Sequence, residues 1–330
     1  MTTLSEAPAP RPAAPGKPAV SGVAYHRGEF VPFAEASLPL TTQALQYGTG
    51  VFEGIRAHAS ADGGELLLFR VHDHYERFLR SCRLLRIDTG LTVEDLVGIT
   101  CELLRRNGAR TDTYLRPLGY KLGLLPGSRP GVGLTGVSDA VSVTGFAMGA
   151  YTPPGGIRCA VSSWVRPRSA AVPVQAKVTG GYVNNALAAD EARSAGYDDA
   201  ILLNDRGQVA EASTANVFVV RSGRLLTPPA TADLLPGITR DTVLALAADL
   251  GIEAAEREVG VPDLLQADEV LLTGTGVGIT PVTGLSGRPV GTGEPGPVTL
   301  ALAERYARTV RGGAGPRHQH WLTPVRLDRG

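Results

Sequence analysis

The chain has 330 residues, enough for two domains with sizeable cores. Its 32 basic and 32 acidic side chains balance, and with 43% hydrophobic and 19% charged residues nothing favours nucleic acid or an anionic membrane as a partner. Cys82, Cys101 and Cys159 are odd in number and lack CxxC spacing, which disfavours a disulfide scaffold or thiolate zinc site and fits a reducing, cytoplasmic setting.

Residues 1–19, rich in alanine and proline from Ala7 to Ala19, read as a disordered tail, and no stretch has signal-peptide or membrane-span character. Gly22 to Phe33 reads as a short hairpin, Thr41 to Ala57 as a polar entry into an apolar strand through Val51 and Ile55, and Leu66 to Phe69 as a strand. Tyr75, Phe78, Leu79 and Cys82 recur at helical spacing within His72 to Leu84, and Val93 to Asn107 predicts a second helix stopping at Gly108. Strands are expected at Thr113 to Tyr120 and Ala140 to Phe146, so residues 20–146 form a small α/β domain. The Pro/Gly-rich segment 147–156 is the expected linker. A larger domain follows over 157–311, with a strand at Arg158 to Trp164, a helix at Asn184 to Ser194 and strand pairs flanking Asp205-Arg206-Gly207 and Ser222-Gly223. Thr239 to Leu250 is an amphipathic helix, and Glu269 to Thr273 a strand entering the glycine-rich Gly274 to Gly278. Residues 312–330 read as an irregular tail with solvated His318 and His320.

Only Lys17, Lys121 and Lys177 among the 32 basic residues are lysines, the rest being arginine. A lysine in an uncharged stretch therefore suggests chemistry closed to guanidinium, since an amine can lose its proton and attack a carbonyl. Lys177, in Val174 to Tyr182, has no charged neighbour; taken alone it fits a snorkelling strand-end lysine better. Glu211 lies in the small-residue run Val209 to Asn216, where a carboxylate needs a partner, although an exposed turn glutamate fits as well. Leu235 to Asp241 opens a helix with Thr239 placed to cap it, and Thr273 to Gly278 adds a hydroxyl and free amides after a strand; both suit an anion such as phosphate. An amine, an acid and two anion loops are together what an aldehyde cofactor with a phosphate handle requires. Tyr114 and Arg116 alternate onto one strand face, where an anion or a structural salt bridge is the expected partner of the arginine. His72 and His74 lack an acidic or cysteine cluster and read as solvated at a helix entry, not as a metal pair.

Six blocks in order, ALQYGTGVFEGIR (44–56), YLRP (114–117), AKVTGGYVN (176–184), EASTANVF (211–218), LPGITRD (235–241) and TGTGVGITPV (273–282), resemble the class IV aminotransferases, the fold-type IV pyridoxal-phosphate enzymes. The branched-chain amino acid aminotransferases are the most similar group, with the resemblance running from about Tyr25 to Ala307. It implies a small α/β domain, a larger barrel-like domain, pyridoxal 5'-phosphate and a homodimer or multiple of dimers. It also implies ping-pong transfer between a branched-chain amino acid and 2-oxoglutarate, with Lys177 as the cofactor-bearing, proton-moving lysine. Arg77, Tyr182, Glu211, Asn216, Ile238, Thr239, Gly274 and Thr275 would hold the cofactor, with Glu211 on the pyridine nitrogen and Arg77 on the phosphate. Tyr47, Phe52, Gly54, Tyr114, Arg116, Met148, Tyr151, Thr275 and Gly276 would hold the substrate, Tyr47 reaching across the dimer. The sequence departs from the group's pattern at Met148, the Lys121 to Pro126 loop, Ala215 and Gly278, which bears on side-chain choice. D-amino acid aminotransferases, (R)-amine transaminases and aminodeoxychorismate lyases share the cofactor set, and a silent dimeric binding protein would be expected to have lost Lys177 or Glu211.

Overall fold

The computed structural model describes residues 22–150, 152–153 and 155–326, so the expected N-terminal tail and Tyr151 lie outside the described residues. Two sheets organise the chain. The first half contributes β1 (Val23–His26), β2 (Glu29–Pro32), α1 (Gln43–Tyr47), β3 (Gly50–Phe52), β4 (Ile55–Ala59) and β5 (Leu66–Phe69). It continues with α2 (Val71–Leu84), α3 (Val93–Arg106), β6 (Thr113–Leu124) and β7 (Val137–Ala147). The β1–β2 hairpin turns at Arg27 and Gly28, both at positive φ. Thr92 and Asp95 close a capping box on α3, and α2 buries Val71, His74, Tyr75, Phe78 and Cys82 along one stripe. That stripe packs with Ile55, Leu68, Leu96, Leu103 and Leu115 into the first core.

The second half contains β8 (Ile157–Val161), α4 (Tyr182–Ser194), β9 (Asp199–Leu203), β10 (Val209–Ala212), β11 (Asn216–Arg221), β12 (Arg224–Thr227) and α5 (Ile238–Asp249). Then follow β13 (Ala254–Glu256), α6 (Val261–Leu265), β14 (Glu269–Gly274), β15 (Gly278–Leu285), β16 (Arg288–Pro289), α7 (Pro297–Val310) and β17 (Leu322–Val325). The central order β10-β9-β8-β15-β14-β11-β12-β13 makes a mixed sheet with β8 parallel to both β9 and β15. Unbroken apolar runs in β11 and β14 are explained by burial on both faces. Val217, Val219, Val270 and Leu272 enter one core. Phe218, Val220 and Leu271 meet Val243 and Leu246 of α5 and Leu302 and Tyr306 of α7 in another. Truncating the fully buried Phe218 to alanine is expected to cost about 3–5 kcal/mol.

Three expectations are corrected. The segment from Thr41 to Ala57 is not one strand: α1 precedes β3, and Glu53-Gly54 interrupts the strand because the Glu53 side chain turns inward. The Lys121 to Pro126 segment is a loop only at its end, since β6 runs to Leu124. Residues 312–326 are ordered where an irregular tail was expected, β17 pairing antiparallel with β5 along the edge of the first sheet. Its Pro324 suits an edge strand, where one missing donor is tolerated, and Trp321 packs on Phe69. His318 is correspondingly not solvated; it bonds Asp249 at 2.6 Å and stacks on Trp321. Among the described residues no helix is long and apolar enough to cross a membrane.

Candidate active site

Lys177 lies in the connection between β8 and α4, not on a strand. Its carbonyl accepts from Phe52 N at 3.0 Å, and Val178 forms a lone bridge with Val51, so the backbone is stitched to β3 of the other sheet. The stitch needs two glycines at the crossing: a Cβ on Gly48, at φ +68°, would meet Gly180 Cα at 2.6 Å. Lys177 Nζ thereby lies 2.7 Å from Tyr182 Oη and 4.8 Å from the centre of the Phe52 ring. Lys121, the other candidate, is buried with its amine on Arg86 O and Asp139, a structural role.

Glu211, buried on β10, faces the same cleft. Burial pushes its carboxyl up from the ordinary range and Arg166 opposes that from 2.7 Å, with the rise prevailing. Leu235 N donates to Glu211 at 3.1 Å, and Asn216 bonds Leu235 O at 2.9 Å, so β10, β11 and the loop before α5 are locked together. A Cβ on Gly237 would strike Asn216 Oδ1 at 2.0 Å, which requires glycine at this packing.

Arg77 reaches the cleft from α2. Glu53, fully buried, takes Arg77 Nε at 2.7 Å and Nη2 at 2.9 Å, while Pro236 O takes Nη1 at 2.8 Å. Each terminal nitrogen keeps one N–H for a ligand. His74 Nδ1 also meets Glu53, at 2.8 Å, so the solvated reading of His74 is overturned: a carboxylate with no access to water recruits both neighbours on α2. Burial drives the Glu53 carboxyl up, but Arg77 and His74 outweigh it and hold it below the usual carboxylate range. Burial lowers His74 more than Glu53 raises it, so the imidazole is the weaker base.

The expected cap of α5 is also corrected: Gly237 occupies the N-cap, no side chain caps the helix, and Thr239 is its second residue. The Thr239 side chain lies beside Tyr306 of α7 instead. Uncapped amides at Ile238 and Thr239 thus line the cleft together with Gly274 and Thr275 at the end of β14. Thr273 Oγ1, in the same wall, is buried without a partner.

A second cavity of about 340 Å³ adjoins the first, lined by Phe52, Gly54, Tyr114, Arg116, Phe146, Met148, Gly276 and Val277. The two share Arg77, Lys177, Tyr182, Thr214 and Thr275. Arg116 Nη2 lies 2.9 Å from Tyr114 Oη and its guanidinium 4.7 Å above Phe52, while its Nε is buried and unpartnered. Gly54 makes room for this pair, since a Cβ there would meet Tyr114 Oη at 2.2 Å. Arg56 donates to Met148 O at 2.6 Å and Gly149 O at 3.0 Å, holding Met148 over the chamber. Tyr47 does not line the chamber of its own chain; it is half exposed at the end of α1. Sequence reasoning missed Glu53, whose signal is only that it interrupts an apolar run, and His74, Arg166, Phe146, Thr214 and Val277, which carry none.

The donor set fits a phosphorylated aldehyde: an amine beside a phenol, a buried carboxylate across the cleft, and an arginine, helix amides and a threonine for the phosphate. Fold and site together define a two-domain enzyme in which a narrow polar cleft opens into an apolar-walled chamber at a single lysine. The chain belongs to the amino-transferase class IV family, whose model matches residues 50–285. It is 40% identical over 306 residues to a probable branched-chain-amino-acid aminotransferase of Aquifex aeolicus, covering 92% of this chain and 96% of that relative. Its fold is similar to the branched-chain aminotransferase of Thermoproteus uzoniensis solved with norvaline, at TM-score 0.87 and 40% identity over 92% of this chain and 99% of that one. With the branched-chain amino acid aminotransferase of Thermobaculum terrenum in its PLP-form the TM-score is 0.86, at 34% identity over 92% of this chain and 98% of that one. The expected two-domain α+β architecture is therefore the family's fold.

Proposed function

We propose that the protein is a pyridoxal-phosphate-dependent aminotransferase that moves the amino group between a branched-chain L-amino acid and 2-oxoglutarate. The observation that carries this reading is the meeting of the two cavities at Lys177, with Tyr182 at 2.7 Å from its amine. When bound, the cofactor supplies a carbonyl for the amino group and a ring that accepts electrons from the substrate Cα. Arg77, the α5 amides and Thr275 would hold the phosphate, Glu211 would serve the ring nitrogen, and Tyr182 would donate to the ring beside the lysine. Lys177 Nζ would move the proton of the substrate Cα, taking it as a general base and returning it as a general acid. The apolar walls Phe52, Phe146 and Met148 take an aliphatic side chain, and Arg116 takes the second carboxylate of glutamate.

A second copy of the chain completes this reading as a homodimer, supported by the exposed apolar Leu40, Leu45 and Tyr47 around α1. Sedimentation at micromolar concentration should show a dimer, and a monomer would remove the role of Tyr47. The free, buried cysteines suit a reducing compartment. Borohydride treatment of the cofactor-loaded protein followed by peptide mapping should place the reduced adduct on Lys177; an adduct elsewhere overturns the assignment. A panel of 2-oxo acids should rank those of leucine, isoleucine and valine first, and a preference for D-amino acids or for an amine donor would reject the branched-chain reading.

A further inference from the structure

Behind Glu211, on the side away from the cleft, stands an arginine that the sequence gives no reason to notice. Arg166 is buried, 5% exposed, and does not line the cofactor cleft. Its Nη2 lies 2.7 Å from Glu211 Oε1 and its Nη1 donates to Asn185 Oδ1 at 2.6 Å. Asn185, on α4, in turn donates to Ser213 O at 2.6 Å, two residues past Glu211, and Arg166 N donates to Leu203 O at 2.8 Å on the strand pairing with β10. The guanidinium is thus held by two partners and its backbone by a third while its Nε finds none, a geometry that spends one buried cation on one buried carboxylate.

We propose that Arg166 is a positioning residue for the cofactor ring, holding Glu211 as a charged carboxylate in the orientation that faces the ring nitrogen. The inference rests on the assignment of Glu211 to that nitrogen. One proton is shared between carboxylate and ring nitrogen, and it can sit on either side. With Arg166 on the far oxygen, the arrangement of carboxylate against protonated nitrogen is stabilised, because the added cation is nearer the carboxylate than the ring. Without it, burial favours the uncharged arrangement, in which the acid keeps the proton and the ring draws electrons less strongly. Lys177 and Arg77 also face Glu211 and act in the same sense as Arg166. Neither can replace it: Arg77 is committed to Glu53 and the phosphate, and the lysine amine to the chemistry.

The test compares wild type, Arg166→Met, Arg166→Lys, Glu211→Gln and the Arg166→Met/Glu211→Gln double variant, each reconstituted with cofactor labelled with 15N in the ring. Arg166→Met should move the ring-nitrogen resonance toward that of the unprotonated form and lower kcat at least about tenfold, a loss equal to one pKa unit of proton affinity, with KM little changed. Arg166→Lys, which keeps the charge, should restore much of both. In the Glu211→Gln background the methionine should add little, since the effect runs through Glu211. A wild-type resonance in Arg166→Met, or additive losses in the double variant, would overturn the inference while leaving the Glu211 assignment standing. An unmoved resonance in Glu211→Gln overturns both. Should Arg166→Met not fold, Arg166→Lys decides the matter: there a protonated nitrogen and near-normal kcat support the proposal, and an unprotonated one sinks it.

Discussion

The floor and the roof of the active site handle charge in opposite ways. On the floor nearly every charge has a fixed counterpart: Glu53 with Arg77 and His74, Glu211 with Arg166, and Arg70 with Asp73 and Asp241 at 2.6 Å each, the last strapping α2 to α5. On the roof Arg116 leans on a phenol and on aromatic faces and keeps an unpartnered Nε. A network in which each buried charge faces an opposite charge holds one group in one pose, whereas a cation with no carboxylate partner over apolar walls accepts either a carboxylate or an aliphatic chain. This difference is what a transaminase with one cofactor and two unlike substrates needs.

The comparison breaks most sharply at its hinge. Lys177→Ala should cost at least about 10⁴-fold in kcat on every substrate, as removal of a covalent catalytic group does. Cofactor should still bind that variant, as read by equilibrium dialysis, because the phosphate contacts remain; retained turnover would reject the role. Next in size is the floor. Glu53→Ala should lose about 3–5 kcal/mol of unfolding free energy in urea, because it strands the buried Arg77 guanidinium. A loss below about 1 kcal/mol would show that the pair is dispensable.

Acid sharpens the same point. The folded carboxyl of Glu53 lies below its unfolded value of about 4.3, so the stability it brings is complete above that pH and is lost as pH falls toward the folded pKa. Wild type should therefore destabilise steeply below about pH 5, and Glu53→Gln more gently; parallel acid limbs would deny the carboxylate its part. On the roof, Arg116→Ala should reduce kcat/KM for glutamate and 2-oxoglutarate about 10- to 100-fold and leave leucine and valine nearly untouched. Equal losses would count against Arg116 as the partner of the distal carboxylate. Smallest is Met148→Ala, expected to shift the ranking among aliphatic side chains by less than about tenfold, since a flexible thioether adapts to many shapes. A larger or uniform loss would make Met148 part of the floor.

The amine, the acid and the two glycine-bearing loops that meet in the cleft were legible in the chain because each is marked locally. Lys177 stands out where lysine is scarce, Glu211 interrupts small apolar residues, and glycines flank the turns at Gly237 and Gly274. Strand-helix order was legible for the same reason, as hydrophobic period is a property of neighbours. Errors fell where distant segments decide. The Glu53-Gly54 break is set by Arg77 and Tyr114, the ordering of β17 by the open edge of β5, and the glycine at the start of α5 by its packing on Asn216.

What the sequence by itself determined is the inventory of reactive groups and the elements that carry them. Which charges are spent on one another, as Arg166 on Glu211 and Glu53 on Arg77, and which stays free, as Arg116, was decided only in the tertiary structure. The physical reason is that the partners are 24 to 45 residues apart, with no local periodicity linking them. The strength of a charge pair depends on burial and separation, and both come into being only when each half of the chain has packed around its own sheet.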